Sequence, residues 1–288
     1  MDAPLGAPTT PWSDMSRRFR FLAATATAAL GLTTVLAGAT PAAAAADIHP
    51  GVMIYTAGAQ CTANFVFTGG GGTFIGQAAH CSGTGAATET NGCDSASLPL
   101  GTEVEIDGAT KPGTLVYNSW LTMQAVGETD PDACAYNDFA LVKIDPADAA
   151  SVSASIPVLG GPTGIDRDGV AAGEDVFSYG NSSLRLGITQ LSPKQGLSLG
   201  TTGNGWTHPV YTLTPGIPGD SGSPFVNDSG QALGVLTTLS IAPTPLSNNV
   251  SDLGRLLDYA NSNGGQSVSL VQGDAFDGSL PVVRGLLS

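Results

Sequence analysis

The stretch "GDSGSP", from Gly219 to Pro224, is the most informative part of this 288-residue chain. Two glycines bracket an Asp-Ser pair, and glycine adopts the sharp left-handed backbone that bulkier residues avoid. Such a loop can be a simple β-turn, since Gly, Asp and Ser are all common turn residues. It can equally present the Ser221 hydroxyl as a nucleophile while the N–H groups of residues 219 and 221 point at one oxygen atom. Residues upstream must decide between the two interpretations.

Three histidines compete for the role of a base near neutral pH. His49 precedes Pro50, where an exposed tether is expected. His208, in "WTHPVY", is predicted to be a structural residue in a loop or at a strand edge. His80 ends the strand-like "TFIGQAAHC", where small alanines allow other elements to approach and Cys81 can anchor the backbone. His80 is therefore the candidate general base, although a core histidine bonded to the backbone would fit the same pattern.

The candidate partner of His80 is Asp138, which begins the apolar run "DFALVKI". A carboxylate at a strand terminus can be buried against an imidazole while backbone N–H groups satisfy its other lone pairs. Other acidic residues are predicted to be solvated, among them Asp130 and Asp132 in "GETDPDA". That loop has acidic ligands but lacks the regular alternation of a calcium loop, so we predict no metal site.

Short runs of β-branched and aromatic residues, separated by Gly, Pro, Asn and Ser, predict an antiparallel β-sheet closed into a sandwich or barrel. One helix is predicted from Ser251 to Asn261, with Asn249 or Ser251 as its cap. The main strand-like runs are Gly51–Tyr55, Asn64–Thr68, Thr102–Asp107, Asp138–Ile144, Asp175–Gly180, Val210–Thr214 and Ala232–Leu239.

Together, "QAAHC", "DFALVKI" and "GDSGSP" resemble the motifs "TAAHC", "D-[IF]-A-L-[LV]-[KR]" and "GDSGGP" of the chymotrypsin-like (trypsin-like) serine peptidases. The chain order His80, Asp138, Ser221 is also the order in that family. The resemblance extends from about Val52 to Asn261 and indicates a secreted, bacterial-type member. The α/β-hydrolases run Ser, Asp, His and the subtilisins run Asp, His, Ser, so neither order fits.

The resemblance implies an all-β fold of two perpendicular six-stranded Greek-key β-barrels with a C-terminal helix. The triad would lie in the cleft between them, with His80 and Asp138 from the first barrel and Ser221 from the second. The N–H groups of Gly219 and Ser221 would form the oxyanion hole. A weak boundary in "PVLGGPTGID" divides the chain into an N-terminal barrel (47–157), a C-terminal barrel with the helix (158–265) and a tail (266–288). The implied activity is a serine endopeptidase that needs no cofactor.

Residues 1–46 are predicted to be a signal peptide. Arg17, Arg18 and Arg20 precede an apolar run, and an alanine tract that ends at Ala46 offers a cleavage site. A membrane anchor is the alternative interpretation. We predict a protein secreted to the extracellular space, without a membrane contact after cleavage.

Four cysteines in an exported chain predict two disulfides, with three possible pairings. The resemblance pairs Cys61 with Cys81, which leaves Cys93 with Cys134. The formal net charge of −14 disfavours contact with phosphate backbones, so nucleic acid is not an expected partner. The expected partner is a polypeptide substrate, and the expected state is a monomer.

The predicted specificity pocket departs from that of trypsin. Pro215 stands six residues before Ser221, where trypsins carry an aspartate that binds Lys or Arg. The matching wall contains Thr237, Thr238 and Leu239, and Leu239 replaces a glycine that admits large side chains in many relatives. The prediction is a shallow pocket for small or medium apolar residues, without cleavage after Lys or Arg.

Two further departures concern the nucleophile loop. Ser223 replaces the second glycine after the nucleophile, which a small residue tolerates. The "IVGG" start of activated zymogens is missing, so Asp220 is expected to pair with Arg167, Arg185 or Lys194 instead, or the enzyme needs no activating cut. The alternative function is a catalytically silent secreted binding protein on the same scaffold.

Overall fold

The computed structural model describes residues 47–85, 90–239 and 246–279. The predicted signal peptide, residues 1–46, lies outside these ranges. Antiparallel strands dominate the fold. They are β1 Met53–Thr56, β2 Ala59–Thr62, β3 Val66–Gly69, β4 Gly72–Gln77, β5 Glu103–Ile106, β6 Gly113–Asn118, β7 Ala140–Lys143, β8 Ala172–Tyr179, β9 Pro193–Leu199, β10 Thr207–Thr212, β11 Pro224–Asn227, β12 Ala232–Leu239, β13 Asn248–Asp252 and β14 Val268–Leu270.

The second half of the chain forms a closed six-stranded barrel in the order β10-β13-β12-β11-β8-β9. Its interior is filled by apolar side chains such as Val176, Val210, Phe225 and Val250, which are all fully buried. Closure satisfies the backbone of every strand and removes exposed sheet edges. The predicted all-β fold class is confirmed.

The first half forms an eight-stranded sheet in the order β14-β3-β4-β7-β6-β5-β1-β2. It has two strands more than the predicted six: the first half of the chain itself supplies seven, and the eighth, Val268–Leu270 in the predicted tail, pairs antiparallel with β3. Two central strands of the sheet matter most for function. Strands β4 and β7 pair with Gln77 opposite Ala140, so the segments that follow β4 and precede β7 lie side by side.

The predicted C-terminal helix is present as α3, Leu253–Asn263. The predicted cap was wrong: the Asp252 carboxylate accepts the Arg255 N–H at 2.8 Å, whereas Asn249 and Ser251 lie in β13. Strand β13 pairs with β12 and β10 through these residues, so the helix begins later.

Two short helices between β6 and β7 were not predicted: α1, Ser119–Val126, and α2, Pro131–Tyr136. Their end signals are visible in hindsight, because Asn118 and Asp130 cap the helices and Gly127 ends α1 in a left-handed conformation. The chain there lacks the apolar periodicity on which helix prediction depends.

Both implied disulfides are confirmed, with Cα–Cα distances of 6.1 Å for Cys61–Cys81 and 5.1 Å for Cys93–Cys134. Within the described ranges, no helix is long and apolar enough to cross a membrane.

Candidate active site

His80 and Asp138 form a tightly bonded pair. His80 lies in a 3₁₀ turn, Ala79–Ser82, just after β4, and Asp138 lies just before β7. The Nδ1 atom of His80 is 2.6 Å from Oδ2 of Asp138, and the His80 backbone N–H donates to Oδ1 at 2.9 Å. Two bonds to one carboxylate fix both the position and the tilt of the imidazole. The pairing of β4 with β7 is what brings the two residues together.

Two opposing effects act on the pKa of His80. Burial lowers it, whereas the charge of Asp138 and the hydrogen bond to it raise it, and the net result is a pKa above the ordinary value. Asp138 itself is 6% exposed. A buried carboxylate that stabilises the imidazolium makes His80 a stronger base.

A backbone hydrogen bond connects Ser221 to the first half of the chain. The Ser221 carbonyl accepts the Thr62 N–H at 2.8 Å, and Thr62 follows Cys61, which is bonded to Cys81 beside His80. Next to it, Gly222 has a φ of +88°, and a Cβ there would lie 2.4 Å from the Thr62 carbonyl oxygen. Only glycine allows this approach.

The Ser221 hydroxyl makes no hydrogen bond to any residue in the described part of the chain, and the ring of His80 is bonded to Asp138. Nucleophile–base hydrogen bonds are often long before substrate binds and tighten in the complex. The three predicted triad residues are thus brought to one region by the strand pairing and by the Thr62 contact.

The predicted oxyanion donors lie in a strongly turned loop. Gly219 has a φ of +95°, and the Asp220 N–H donates to the Ile217 carbonyl at 2.8 Å. Across the described ranges, the N–H groups of Gly219 and Ser221 donate to no protein acceptor. These two donors therefore remain available for an oxygen atom of a substrate.

Sequence reasoning missed three residues that hold this loop. Both Gln60 Nε2 and Thr62 Oγ1 donate to the Gly219 carbonyl, at 3.0 and 2.8 Å, and Ser182 Oγ donates to the Pro218 carbonyl at 2.6 Å. Nothing in their local sequence marks them, because their partners are more than 30 residues away.

Asp220 is fully buried and pairs with two cations. Its Oδ2 atom lies 2.6 Å from Nη2 of Arg185 and 3.1 Å from Nζ of Lys194. Gly180 makes room for the cluster, since a Cβ there would lie 2.6 Å from Oδ1 of Asp220 and 2.7 Å from Cε of Lys194. Of the three cations considered, Arg167 does not take part and instead pairs with Asp258 on the surface.

The cluster carries one more positive than negative charge when both cations are protonated. Burial lowers the pKa of Lys194, the charge of Asp220 and the hydrogen bond to it raise the pKa, and the charge of Arg185 lowers it; the net result is a pKa of about 8. Lys194 is therefore the group in this cluster that loses its proton on mild alkalinisation.

The predicted pocket residues belong to the second half of the chain, with Thr237, Thr238 and Leu239 at the end of β12 and Pro215 shortly after β10. The Pro215 carbonyl accepts a hydrogen bond from Arg185 Nη2 at 3.1 Å. Thr237 is 8% exposed, and its hydroxyl donates to the Asn249 carbonyl. Thr238 Oγ1 accepts a bond from the Asn249 amide, and Leu239 is 44% exposed. Both threonine hydroxyls are thus engaged in hydrogen bonds, and Leu239 is the exposed apolar residue of the predicted wall.

His208 does not lie in a loop or at a strand edge, as predicted, but is fully buried in β10 between β9 and β13. Its Nε2 is 3.1 Å from Oδ2 of Asp252 and its Nδ1 is 3.0 Å from Oγ1 of Thr201. Both hydrogen-bond partners belong to the second half of the chain, which fits the predicted structural role. Near His80, the sulfurs of Cys61 and Cys81 are close enough to suggest a metal site, but the disulfide uses both.

Comparisons with known proteins concern the family and the fold of the chain. A family model described as a trypsin-like peptidase domain matches residues 61–235. Among solved structures, the chain is similar to Thermobifida fusca protease A, with 19% identity and a TM-score of 0.50 over 78% of this chain and 99% of that one. It also matches Cellulomonas bogoriensis chymotrypsin, with 16% identity and a TM-score of 0.46 over 78% and 98% of the two chains. No curated protein matches the sequence. At these identities, the first structural match shows a shared fold.

Proposed function

The chain belongs to the trypsin-like peptidase family, and on that basis we propose that it is a secreted serine endopeptidase whose triad is Ser221, His80 and Asp138. The observation that carries this proposal is the pair of hydrogen bonds between His80 and Asp138, at 2.6 and 2.9 Å, together with a serine loop whose Gly219 and Ser221 N–H groups have no acceptor among the described residues. This arrangement supports acyl transfer, because it combines a base, a group that orients the base, and an oxyanion site.

In the proposed reaction, Ser221 Oγ attacks the carbonyl carbon of a peptide bond and His80 Nε2 accepts its proton. The carbonyl oxygen becomes an oxyanion that receives hydrogen bonds from the N–H groups of Gly219 and Ser221. His80 then gives the proton to the departing amine, which leaves an ester on Ser221. Water, deprotonated by His80, hydrolyses this ester and restores the serine.

We propose that the enzyme needs no activating cut. In zymogens of this family, a newly formed N-terminus pairs with the aspartate before the nucleophile. Here Arg185 and Lys194 already supply the positive charge that buried Asp220 requires. Secretion is supported by the predicted signal peptide and by the two disulfides, which persist in oxidising compartments.

The proposed cleavage preference is for small or medium apolar residues. Pro215 stands where a carboxylate would be needed to bind Lys or Arg, and the Arg185 guanidinium lies 3.1 Å from its carbonyl. A cation already present beside Pro215 disfavours a second one at that position. Leu239, in place of a glycine, reduces the depth of the pocket. Digestion of a peptide library tests this preference.

The competing function, a catalytically silent binding protein, is separated by one experiment. The secreted protein, its Ser221→Ala variant and a Ser229→Ala control are treated with a fluorophosphonate, which labels activated serines. Ser229 is an exposed serine in the same barrel. We expect labelling of the wild type and of the control but not of Ser221→Ala. Equal labelling of all three, or of none, would contradict the catalytic function.

A further inference from the structure

The two proposed oxyanion donors belong to peptide groups whose carbonyl oxygens are held by buried serines. In a trans peptide, the C=O and N–H groups are coplanar and point in opposite directions. A hydrogen bond that holds the oxygen of a peptide therefore also sets the direction of the N–H on the same peptide. This applies to the Pro218–Gly219 peptide and to the Asp220–Ser221 peptide.

Ser182 holds the first of these peptides. Its Oγ donates to the Pro218 carbonyl at 2.6 Å. The Ser182 Oγ also accepts a hydrogen bond from the Leu184 N–H at 3.2 Å. The side chain is buried, with the residue 1% exposed. Among the described residues, Ser182 is the only donor to the Pro218 oxygen. The direction of the Gly219 N–H therefore depends on this hydroxyl.

Ser223 holds the second peptide. Its Oγ donates to the Asp220 carbonyl, and its backbone N–H donates to the same oxygen at 3.0 Å. The residue is fully buried. The Asp220 carbonyl lies in the same peptide as the Ser221 N–H, so both bonds help to aim this donor. The serine that replaces the family's second glycine thus adds a hydroxyl bond to the backbone bond that a glycine would also make.

The peptide between them is held as well. The Gly219 carbonyl accepts bonds from Gln60 and Thr62, and the Asp220 N–H donates to the Ile217 carbonyl. Anchoring is needed here because glycine reaches both positive and negative φ at little cost, so an unheld Gly219 can rotate its N–H away. With all three peptides held, the two donors keep their direction before substrate binds.

We propose that Ser182 and Ser223 are positioning residues of the oxyanion hole, each of which aims one N–H donor through the carbonyl on the same peptide. This inference rests on the proposed peptidase function. Both serines are buried, so their effect reaches the reaction only through the two N–H groups.

The test compares Ser182→Ala and Ser223→Ala with Ser178→Ala. Ser178 is a fully buried serine in β8 whose hydroxyl has no hydrogen-bond partner within the described residues, so its loss controls for removal of a buried hydroxyl. For each protein, kcat and KM are measured on a peptide substrate, together with the affinity for a peptide boronic acid, which forms a tetrahedral adduct like the transition state. The pH dependence of kcat/KM and the midpoint of thermal unfolding are recorded in parallel.

Ser182→Ala is expected to lower kcat about 10-fold, less than the roughly 100- to 1,000-fold for outright loss of an oxyanion donor. Ser223→Ala is expected to lower it about 3-fold, the value of one hydrogen bond, since the backbone bond remains. In both variants KM and the pH profile should match the control, and the boronic acid should lose affinity by the same factor as kcat/KM.

Two results would overturn the inference. One is a kcat in both variants that matches that of Ser178→Ala. The other is a loss of kcat that leaves the affinity for the boronic acid unchanged, which would place the effect outside the transition state. A wild-type protein without turnover would refute the peptidase function as well, whereas an active wild type with unaffected variants would refute only the positioning role.

Discussion

The buried cluster around Asp220 predicts an unusual dependence of stability on pH, which Lys194→Met should abolish. Lys194 has no exposed side-chain surface and lies 3.1 Å from Asp220, which also pairs with Arg185 at 2.6 Å. Methionine keeps most of the length of the lysine side chain but carries no charge. Arg185 still satisfies Asp220 in the variant, so the protein is expected to fold.

The magnitude follows from the pKa of Lys194, which falls from 10.5 to about 8 with burial as the largest cause. Between these values the unfolded chain binds the lysine proton and the folded chain releases it, so the free energy of unfolding rises with pH. Each pKa unit corresponds to about 1.4 kcal/mol, so the shift corresponds to about 3 kcal/mol. Below pH 8 the folded protein bears this cost in full, and above pH 10.5 it bears none.

The assay is denaturant unfolding of the wild type and of Lys194→Met between pH 7 and 10.5. Other groups that titrate at alkaline pH, such as the tyrosines, are common to both proteins. The difference between the free energies of unfolding of the wild type and the variant therefore isolates Lys194. We expect this difference to change by about 3 kcal/mol in favour of the wild type as the pH rises. Lys111→Met, at an exposed lysine, is the control. Parallel pH profiles for the wild type and Lys194→Met would refute the assignment of the charge change to this lysine.

Three other perturbations have defined outcomes. In the pH profile of kcat/KM, activity should rise as His80 loses its proton. The midpoint should lie above the ordinary histidine value because Asp138 raises the pKa of His80. The Asp138→Asn variant should have a lower midpoint and a kcat lower by about 10⁴-fold. Replacement of Cys93 and Cys134 by serine opens a loop of 41 residues and should lower the free energy of unfolding by about 4 kcal/mol in denaturant titration, and an unchanged value would contradict the loop-closure account. Gly222→Ala should lower the free energy of unfolding by at least about 2 kcal/mol and reduce fluorophosphonate labelling, because the new Cβ would lie 2.4 Å from the Thr62 carbonyl oxygen. Normal labelling would show that the loop can shift.

The sequence predicted the parts of the fold and site that depend on local residue types. The run Ala232–Leu239 was predicted as a strand and has those bounds in β12, since a continuous β-branched and apolar run between turn residues has few other solutions. The terminal helix was predicted from its apolar face. Helix α1 was missed, and the pairing of β14 with β3 was not predicted, because both depend on the surfaces against which these elements pack.

The candidate site also contains residues that the sequence predicted and contacts that it did not. Motifs alone identified His80, Asp138 and Ser221 as candidates, because a nucleophile, a base and its orienting carboxylate require specific side-chain chemistry in a recognisable local frame. For Asp220, by contrast, three cations fitted the sequence equally well, and the structure pairs it with Arg185 and Lys194.

What the sequence determined by itself was therefore the reaction chemistry, the chain order of the groups that would perform it, and the all-β class. Tertiary structure decided which groups support that chemistry: the two cations on Asp220, and the Ser182 and Ser223 hydroxyls on the nucleophile loop. The physical reason is that a buried charge or carbonyl must be satisfied by whatever donor the closed barrel brings within about 3 Å. That donor is selected by strand register and loop course, which residue types alone do not specify.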